Sequence, residues 1–396
     1  MNDNISENGN LSEDSEFPEV KSLRQLIDIA TGVTSLRETP QEESGLAERL
    51  PYPFLALVGQ PDLKLALLLA LINPFIGGVL LVGPRGTGKT TAVRSLVDLL
   101  PVIERSACYY GCTPEDIESG GMDAVCPDCA KKYAEDLPLT KKDKARLVEL
   151  PLNSTIDDVI GGVDERTRVS QGIRLKRGLL AQADQNILYI DEVNLLNQEI
   201  IDSILDAAAQ GSFSVRRGPI SATYRSRFTL IGSMNPEEGI LRPQIMDRFG
   251  LRVLVRGLSQ SADRLEVYRR VSSYQKNPNV LISKYSRDTA MARREIQTAR
   301  DMLPEVVISD KVAQIGIRLT QKLGIDSLRA EVTLFEASRA YAAADGRKEV
   351  IKDDLARIAP MALRLRKSQF IASYFQDQKI EEELISRKIV PLKGRN

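Results

Sequence analysis

Apolar positions along this chain follow two periods, and each change of period marks the border of an element. Residues 1–16 are mostly Asn, Ser, Asp and Glu, too polar to bury a core of their own. Residues 20–33 show some helical periodicity and 34–49 turn polar again, so 1–50 is expected to be a flexible acidic leader. Order is expected to begin near Tyr52. Residues 61–72 are apolar enough for a buried helix, Asn73-Pro74 marks a turn, and 77–82 read as a short buried strand. Val93, Leu96, Val97 and Leu100 then recur at the spacing of one helical face and predict a helix over 91–100. Short apolar runs predict further strands at 148–150, 187–190, 228–235 and 251–255. Ile200, Ile204, Leu205 and Ala208 outline an amphipathic helix, and 213–216 and 221–224 alternate around Arg217-Gly218-Pro219 as a β-hairpin.

Between these, 131–146 is charged and expected to be a solvated helix or loop, and 153–177, rich in Gly, Arg and Lys, a mobile insertion. The last third is helical. Val312, Ile315, Leu319 and Leu323 step along one face behind Ser309 as N-cap, and 331–344 and 352–364 supply two more helices. Strands alternating with helices and followed by helices alone predict an α/β nucleotide-binding domain over 51–258, a parallel sheet between helices. A linker over 259–300, a small all-α bundle over 301–366 and a polar tail over 367–396 complete the expectation.

The loop between the 77–82 strand and its helix carries the chemistry. It reads Gly83-Pro84-Arg85-Gly86-Thr87-Gly88-Lys89-Thr90-Thr91, fitting G-x-x-x-x-G-K-[ST] between a strand and a helix, the context this motif needs. Its glycines let backbone N–H groups turn around phosphate oxygens, with the helix N-terminus behind them. Lys89 is expected on the β- and γ-phosphates, and the Thr90 hydroxyl on Mg²⁺. Val58 and Gly59, some 25 residues earlier, are expected over the base. The 187–190 run ends in Asp191-Glu192, two carboxylates at the carboxyl edge of a buried strand, where open α/β sheets bind ligands. Asp191 is expected to position Mg²⁺ and Glu192 to act as base toward the attacking water. Asn235 ends the 228–235 strand, within reach of the γ-phosphate or that water.

Composition narrows the rest. Lys+Arg and Asp+Glu each total 54 in 396 residues, a neutral balance that argues against general nucleic-acid binding. Residues 63–82 are apolar over a membrane-like length, but Lys64, Asn73 and Pro74 interrupt them. Neither a signal peptide nor a transit peptide is recognisable in the polar N-terminus, and the expected location is cytoplasmic. The sequence has no histidine, so side-chain metal binding falls to Cys or carboxylates. Its only cysteines, Cys108, Cys112, Cys126 and Cys129, are spaced C-x3-C-x13-C-x2-C, forming a four-Cys insertion over 106–130. That spacing suits an all-cysteine structural Zn²⁺ site, with a redox pair or free thiols as the alternatives.

Together these features resemble the AAA+ ATPases, and within them the ATPase subunit of magnesium chelatase. The resemblance covers about 52–366 and rests on Val58-Gly-Gln60, Gly86-Thr-Gly-Lys-Thr90, Leu188-Tyr-Ile-Asp-Glu192, Asn235-Pro-Glu-Glu-Gly239, Asp247-Arg-Phe-Gly250 and Leu328-Arg329. It implies that Asn235 is sensor 1, Arg248 an arginine finger reaching a neighbour's γ-phosphate, and Arg329 sensor 2 on the helical lid. The 153–177 excursion and the 213–225 hairpin correspond to the helix-2 insert and pre-sensor hairpin. Further implications are ATP and Mg²⁺ as ligands, a homo-oligomeric ring, expected as a hexamer, and two partner subunits. One is an AAA+/integrin-like adaptor and the other a large porphyrin-binding subunit; neither nucleic acid nor membrane insertion is expected. The alternative is a MoxR-like chaperone ATPase that remodels or metallates another client. The four-cysteine segment departs from the family's pattern, which commonly has an acidic, cysteine-poor stretch there.

Overall fold

The computed structural model describes residues 50–366 apart from 109, 165–173, 219 and 240. The leader up to residue 49, the tail from 367 and the middle of the 153–177 excursion lie outside the described residues.

In chain order the strands are β1 (Val79–Val82), β2 (Val102–Ser106), β3 (Thr140–Lys144), β4 (Leu147–Leu150), β5 (Val163–Asp164), β6 (Arg174–Leu175), β7 (Ile187–Ile190), β8 (Ser212–Arg217), β9 (Ile220–Arg225), β10 (Thr229–Met234) and β11 (Leu251–Leu254). The helices of the first part are α1 (Pro61–Ile72), α2 (Lys89–Arg94), α3 (Pro114–Gly120), α4 (Pro127–Ala134), α5 (Ile156–Ile160), α6 (Leu179–Gln182), α7 (Gln198–Gln210) and α8 (Pro243–Arg248). Those of the second part are α9 (Ser261–Lys276), α10 (Pro278–Met302), α11 (Asp310–Lys322), α12 (Leu328–Ala344) and α13 (Lys352–Leu363).

Five strands form one parallel sheet in the order β11-β1-β10-β7-β4. Successive side chains on a strand face opposite ways, and each central strand accordingly feeds two cores. Val79 and Leu81 of β1 with Ile187 and Tyr189 of β7 join the core shared with α1, α10, α12 and α13. Leu80, Val82, Leu188 and Ile190 join the core under α7 and α8. Burying each such aliphatic side chain contributes about 1.5–3 kcal/mol, which is why these strands read as unbroken apolar runs. The topology decides where chemistry can gather. β10 lies between β1 and β7, with Val82 opposite Met234 and Gly232 opposite Ile190. The loop after β1, the acids after β7 and Asn235 after β10 therefore emerge side by side at one sheet edge.

Three expectations need correction. Residues 259–300, expected as a linker, are occupied by α9 and most of the 25-residue α10. α10 packs onto the α/β core through buried Ile296 and Ala299, while Arg293 and Arg300 donate to the carbonyls of Asp98 and Leu71. Residues 131–146 continue α4 and then form β3, whose lysine-rich strand pairs antiparallel with β2. On α11 the fully buried positions are Gly316 and Thr320; Ile315 and Leu323 are exposed. The ring of Phe335 fills the space a side chain at position 316 would need, so the helix turns its small residues inward. Ser309 occupies the N-cap position there without a side-chain cap bond.

Candidate active site

The loop after β1 needs its glycines for two different reasons. Gly86 and Gly88 have φ of +75° and +84°, where any β-carbon is strained. Gly83 has ordinary backbone, but a β-carbon there would collide with the Val255 carbonyl beyond β11. Residues 85–91 then curl around a cavity of about 200 Å³ whose far wall is Asp191, Glu192, Ser233 and Asn235. Lys89, Thr90, Asp191, Glu192 and Asn235 thus face one space.

Lys89 is buried, and its Nζ donates to the carbonyl oxygens of Gly83 (2.7 Å) and Pro84 (2.8 Å) of its own loop. Burial pushes its pKa down against the pull of Asp191, Glu192 and Glu238. Thr90 Oγ1 donates to Asp191 Oδ2 at 3.0 Å, which sets the two expected Mg²⁺ ligands in contact. Asp191 Oδ1 accepts from the hydroxyls of Tyr189 (2.9 Å) and Ser233 (2.5 Å). Burial works to raise the Asp191 pKa, but hydrogen bonds from Ser233, Tyr189 and Thr90 outweigh it and hold the carboxyl below its usual range. A hydroxyl and an ionised carboxylate at this spacing suit a hard divalent cation that keeps several waters. The residues present fit Mg²⁺.

Glu192 sits at φ +54°, ψ +54°, a left-handed conformation that costs a non-glycine residue about 1–2 kcal/mol. Its N–H donates to Ser233 Oγ at 3.0 Å, and its carboxylate lies 3.5 Å from Arg85. Arg85 also pairs with Glu238, so one cation at the cavity mouth bridges two carboxylates. Asn235 is 2% exposed and accepts from the Glu237 N–H at 3.3 Å.

A second cavity of about 560 Å³ shares Arg85, Gly86, Thr87, Gly88 and Thr91 with the first. Its outer lining is apolar, from Leu57, Val58, Leu63, Leu258, Val267 and Val271, with Tyr52, Gln60 and Arg264 as polar groups. That is the character of a base and ribose pocket next to a phosphate pocket. Val58 lines it. Gly59 does not; its φ of +62° and lack of a β-carbon let the segment close against Leu258.

Arg248 and Arg329 line neither cavity. Arg248, at the end of α8, pairs with Asp206 of α7 at 3.0 Å. Arg329, in the first turn of α12, lies 3.4–3.5 Å from the carbonyl and carboxylate of Asp247, the residue next to Arg248. Asp247 also receives Arg366 (2.6 Å), Arg252 (3.5 Å) and the Ser327 hydroxyl (3.2 Å). Sequence reading did not find Tyr189, Ser233, Glu238 and the Leu258–Val271 wall. Glu238 stands inside the quoted Asn-Pro-Glu-Glu-Gly block and Ser233 two positions before Asn235, but neither spacing by itself carries a role.

The four cysteines come together. Their sulfurs all lie within 4.8 Å of one another, Cys108 and Cys126 at 3.8 Å. A hydrogen bond from the Cys112 thiol leads the effects that draw the Cys108 pKa down to about 4, and burial pushes Cys129 up to about 12.

Comparison with known proteins places this geometry. The AAA lid domain matches residues 315–388 and the MCM P-loop domain residues 157–260. The magnesium-chelatase subunit ChlI homolog of Methanocaldococcus jannaschii is 44% identical over 335 residues, covering 84% of this chain and 90% of that protein. The magnesium-chelatase 38 kDa subunit of Acidiphilium rubrum is 41% identical over 80% of this chain and 90% of its own length. The chain belongs to the magnesium-chelatase ATPase subunit family. A chain in a cryo-EM-based structure of the BchI–BchD complex of magnesium chelatase is 40% identical, covering 82% of this chain and 99% of that one, with a TM-score of 0.45. For this magnesium-chelatase-family ATPase, the five-stranded sheet with its phosphate loop and helical second part is the AAA+ fold. Among the described residues no helix is long and apolar enough to cross a membrane.

Proposed function

We propose that this chain is the ATP-hydrolysing ring subunit of a chelatase that drives Mg²⁺ into protoporphyrin IX on a partner subunit. One observation carries the ring: the phosphate cavity holds Lys89, Asp191, Glu192 and Asn235, while Arg248 and Arg329 lie elsewhere. A site with its acids and lysine in place but its arginines outside is completed by the next subunit. Such a head-to-tail contact closes as a ring, here a hexamer. The partners are the AAA+/integrin-like adaptor and the large porphyrin-binding subunit, and the assembly works in the cytoplasm.

The chemistry follows from positions. On ATP binding, Lys89 exchanges the Gly83 and Pro84 carbonyls for β- and γ-phosphate oxygens. Thr90 and Asp191 are the residues that would hold Mg²⁺, and the ion would supply positive charge beside those oxygens. Arg85 gives up Glu192 for the phosphates, freeing the carboxylate to take the proton of the attacking water while Asn235 orients it. Arg248 of the neighbour, with Arg329 beside it, reaches the γ-phosphate. The four cysteines are the residues that would hold a structural Zn²⁺.

The test mixes the purified chain with the adaptor and large chelatase subunits, ATP, Mg²⁺ and protoporphyrin. ATP-dependent metal insertion supports the reading; none, with partners active alongside another subunit of this family, turns it to the chaperone ATPase.

A further inference from the structure

The four-cysteine segment touches the root of the β8–β9 hairpin. Cys112 is followed directly by α3, which Thr113 caps by a reciprocal bond: Asp116 accepts the Thr113 N–H at 2.8 Å. The free side of Asp116 pairs with Arg225 at the end of β9, and Glu115 lies 3.7 Å from Arg227. Between the first two cysteines, the ring of Tyr110 stacks on Tyr224 at 6.2 Å and 18°. Tyr224 is buried and lies 5.8 Å from Phe213 on the facing strand. The chain then runs from Arg225 into β10, which ends at Met234 with Asn235 next in line. One small module therefore grips the base of the hairpin, on the same stretch of chain as the γ-phosphate side of the ATP site.

That module has little of its own to hold it in shape. Among the described residues, its buried apolar ones are Cys112, Cys129 and Leu139, with Ile117 and Val125 half-covered. A core of that size does not order some thirty residues without a staple. The sulfurs supply one. Four thiolates around Zn²⁺ at about 2.3 Å stand about 3.8 Å apart along each tetrahedral edge. Cys108 and Cys126 are at 3.8 Å, with all four sulfurs inside 4.8 Å. Backbone donors are already aimed at two of them: the Tyr110 N–H at Cys108 (3.1 Å) and the Cys126 N–H at Cys112 (3.4 Å). Such donors orient and stabilise metal-bound thiolates.

We propose that Zn²⁺ bound by Cys108, Cys112, Cys126 and Cys129 locks α3 and Tyr110 onto Arg225, Arg227 and Tyr224, so that the metal sets the rigidity of the hairpin. The inference rests on the zinc reading given above and adds what the ion is for. Without the ion, α3 keeps its cap but loses the cross-link between its two flanks. Its acids then no longer present a fixed partner to the arginines.

The experiment uses the full-length protein, the double variant Cys126→Ser/Cys129→Ser and the single variant Asp116→Ala. Metal content is measured on each, and amide hydrogen exchange is followed in residues 212–225. Wild type is expected to carry one zinc per chain. The cysteine variant should lack it, and Asp116→Ala should retain it. Exchange in the hairpin should quicken about tenfold in both, with nucleotide binding retained as the check on folding. A metal-free wild type with four titratable thiols, or one holding iron and sulfide, overturns the zinc site. Zinc in place with hairpin exchange unchanged in Asp116→Ala overturns the coupling while leaving the site. Should the cysteine variant not fold, stripping the metal from folded wild type with a chelator decides in its place: hairpin exchange should quicken about tenfold, and unchanged exchange overturns the coupling. Neither readout involves metal insertion, so the chelatase reading stands or falls separately.

Discussion

Replacing Asp247 by alanine should loosen the helical second part against the α/β core. Its carboxylate lies 2.6 Å from Arg366, 3.5 Å from Arg252 and 3.5 Å from Arg329. The side chains of Arg366 and Arg252 are 0% and 1% exposed, whereas Asp247 is 35% exposed. Burial, with Arg366 nearby, already draws the Arg252 pKa down to about 10. Removing one partner of a buried pair costs about 3–5 kcal/mol, because it leaves uncompensated charge. Solvent access to Asp247 screens part of this, and the guanidiniums keep backbone acceptors at Arg364, Leu365 and Gly250, so about 2–4 kcal/mol is the working figure. At about 1–1.5 °C per kcal/mol for a chain of this size, Tm should fall by about 2–6 °C. Asp247→Asn, which keeps an acceptor but no charge, should fall in between, and Arg366→Met in the Asp247→Ala background should add little. Differential scanning calorimetry with ATPase turnover reads both effects. A Tm within about 1 °C of wild type in the alanine variant would refute the buried-charge argument.

Glu192→Gln should bind ATP normally yet lose about 10²–10⁴-fold in turnover, the usual range for a missing general base; near-normal turnover removes Glu192 from that role. Gly83→Ala puts a β-carbon against the Val255 carbonyl and should destabilise by about 1–3 kcal/mol, checked by thermal denaturation. Leu258→Asp should weaken nucleotide affinity about tenfold or more in calorimetric titration by taking an apolar wall from the base pocket; unchanged affinity places the base elsewhere.

What the sequence shows follows the physics of each element. β1 and β7 are buried on both faces, so each appears as an apolar run, and the chemistry sits at the run's end. The phosphate loop is legible because backbone conformation and phosphate binding both demand glycine. α10 was hidden for the opposite reason. Over 25 residues it buries Leu281, Thr289, Ile296 and Ala299, and much of its hold comes from arginines reaching core carbonyls, which leaves no apolar stripe. β3 is Thr-Lys-Lys-Asp-Lys, a strand made by pairing with β2 and not by a buried face. The Asp247 hub draws in Ser327, Arg329 and Arg366 from 80 to 119 positions away, a distance over which no local period carries information. The cysteines were the exception among distant groups, since their spacing alone placed them together.

The central claim, a site completed by the neighbouring subunit, is tested by mixing two inactive variants. Lys89→Ala lacks the phosphate lysine but keeps Arg248; Arg248→Ala keeps its whole phosphate cavity but lacks the finger. In a ring of randomly mixed subunits about one interface in four pairs a sound cavity with a sound finger, so turnover should return to roughly a quarter of wild type. If the equimolar mixture stays as inactive as either variant alone, although both still assemble into rings with wild-type subunits, the site is not shared.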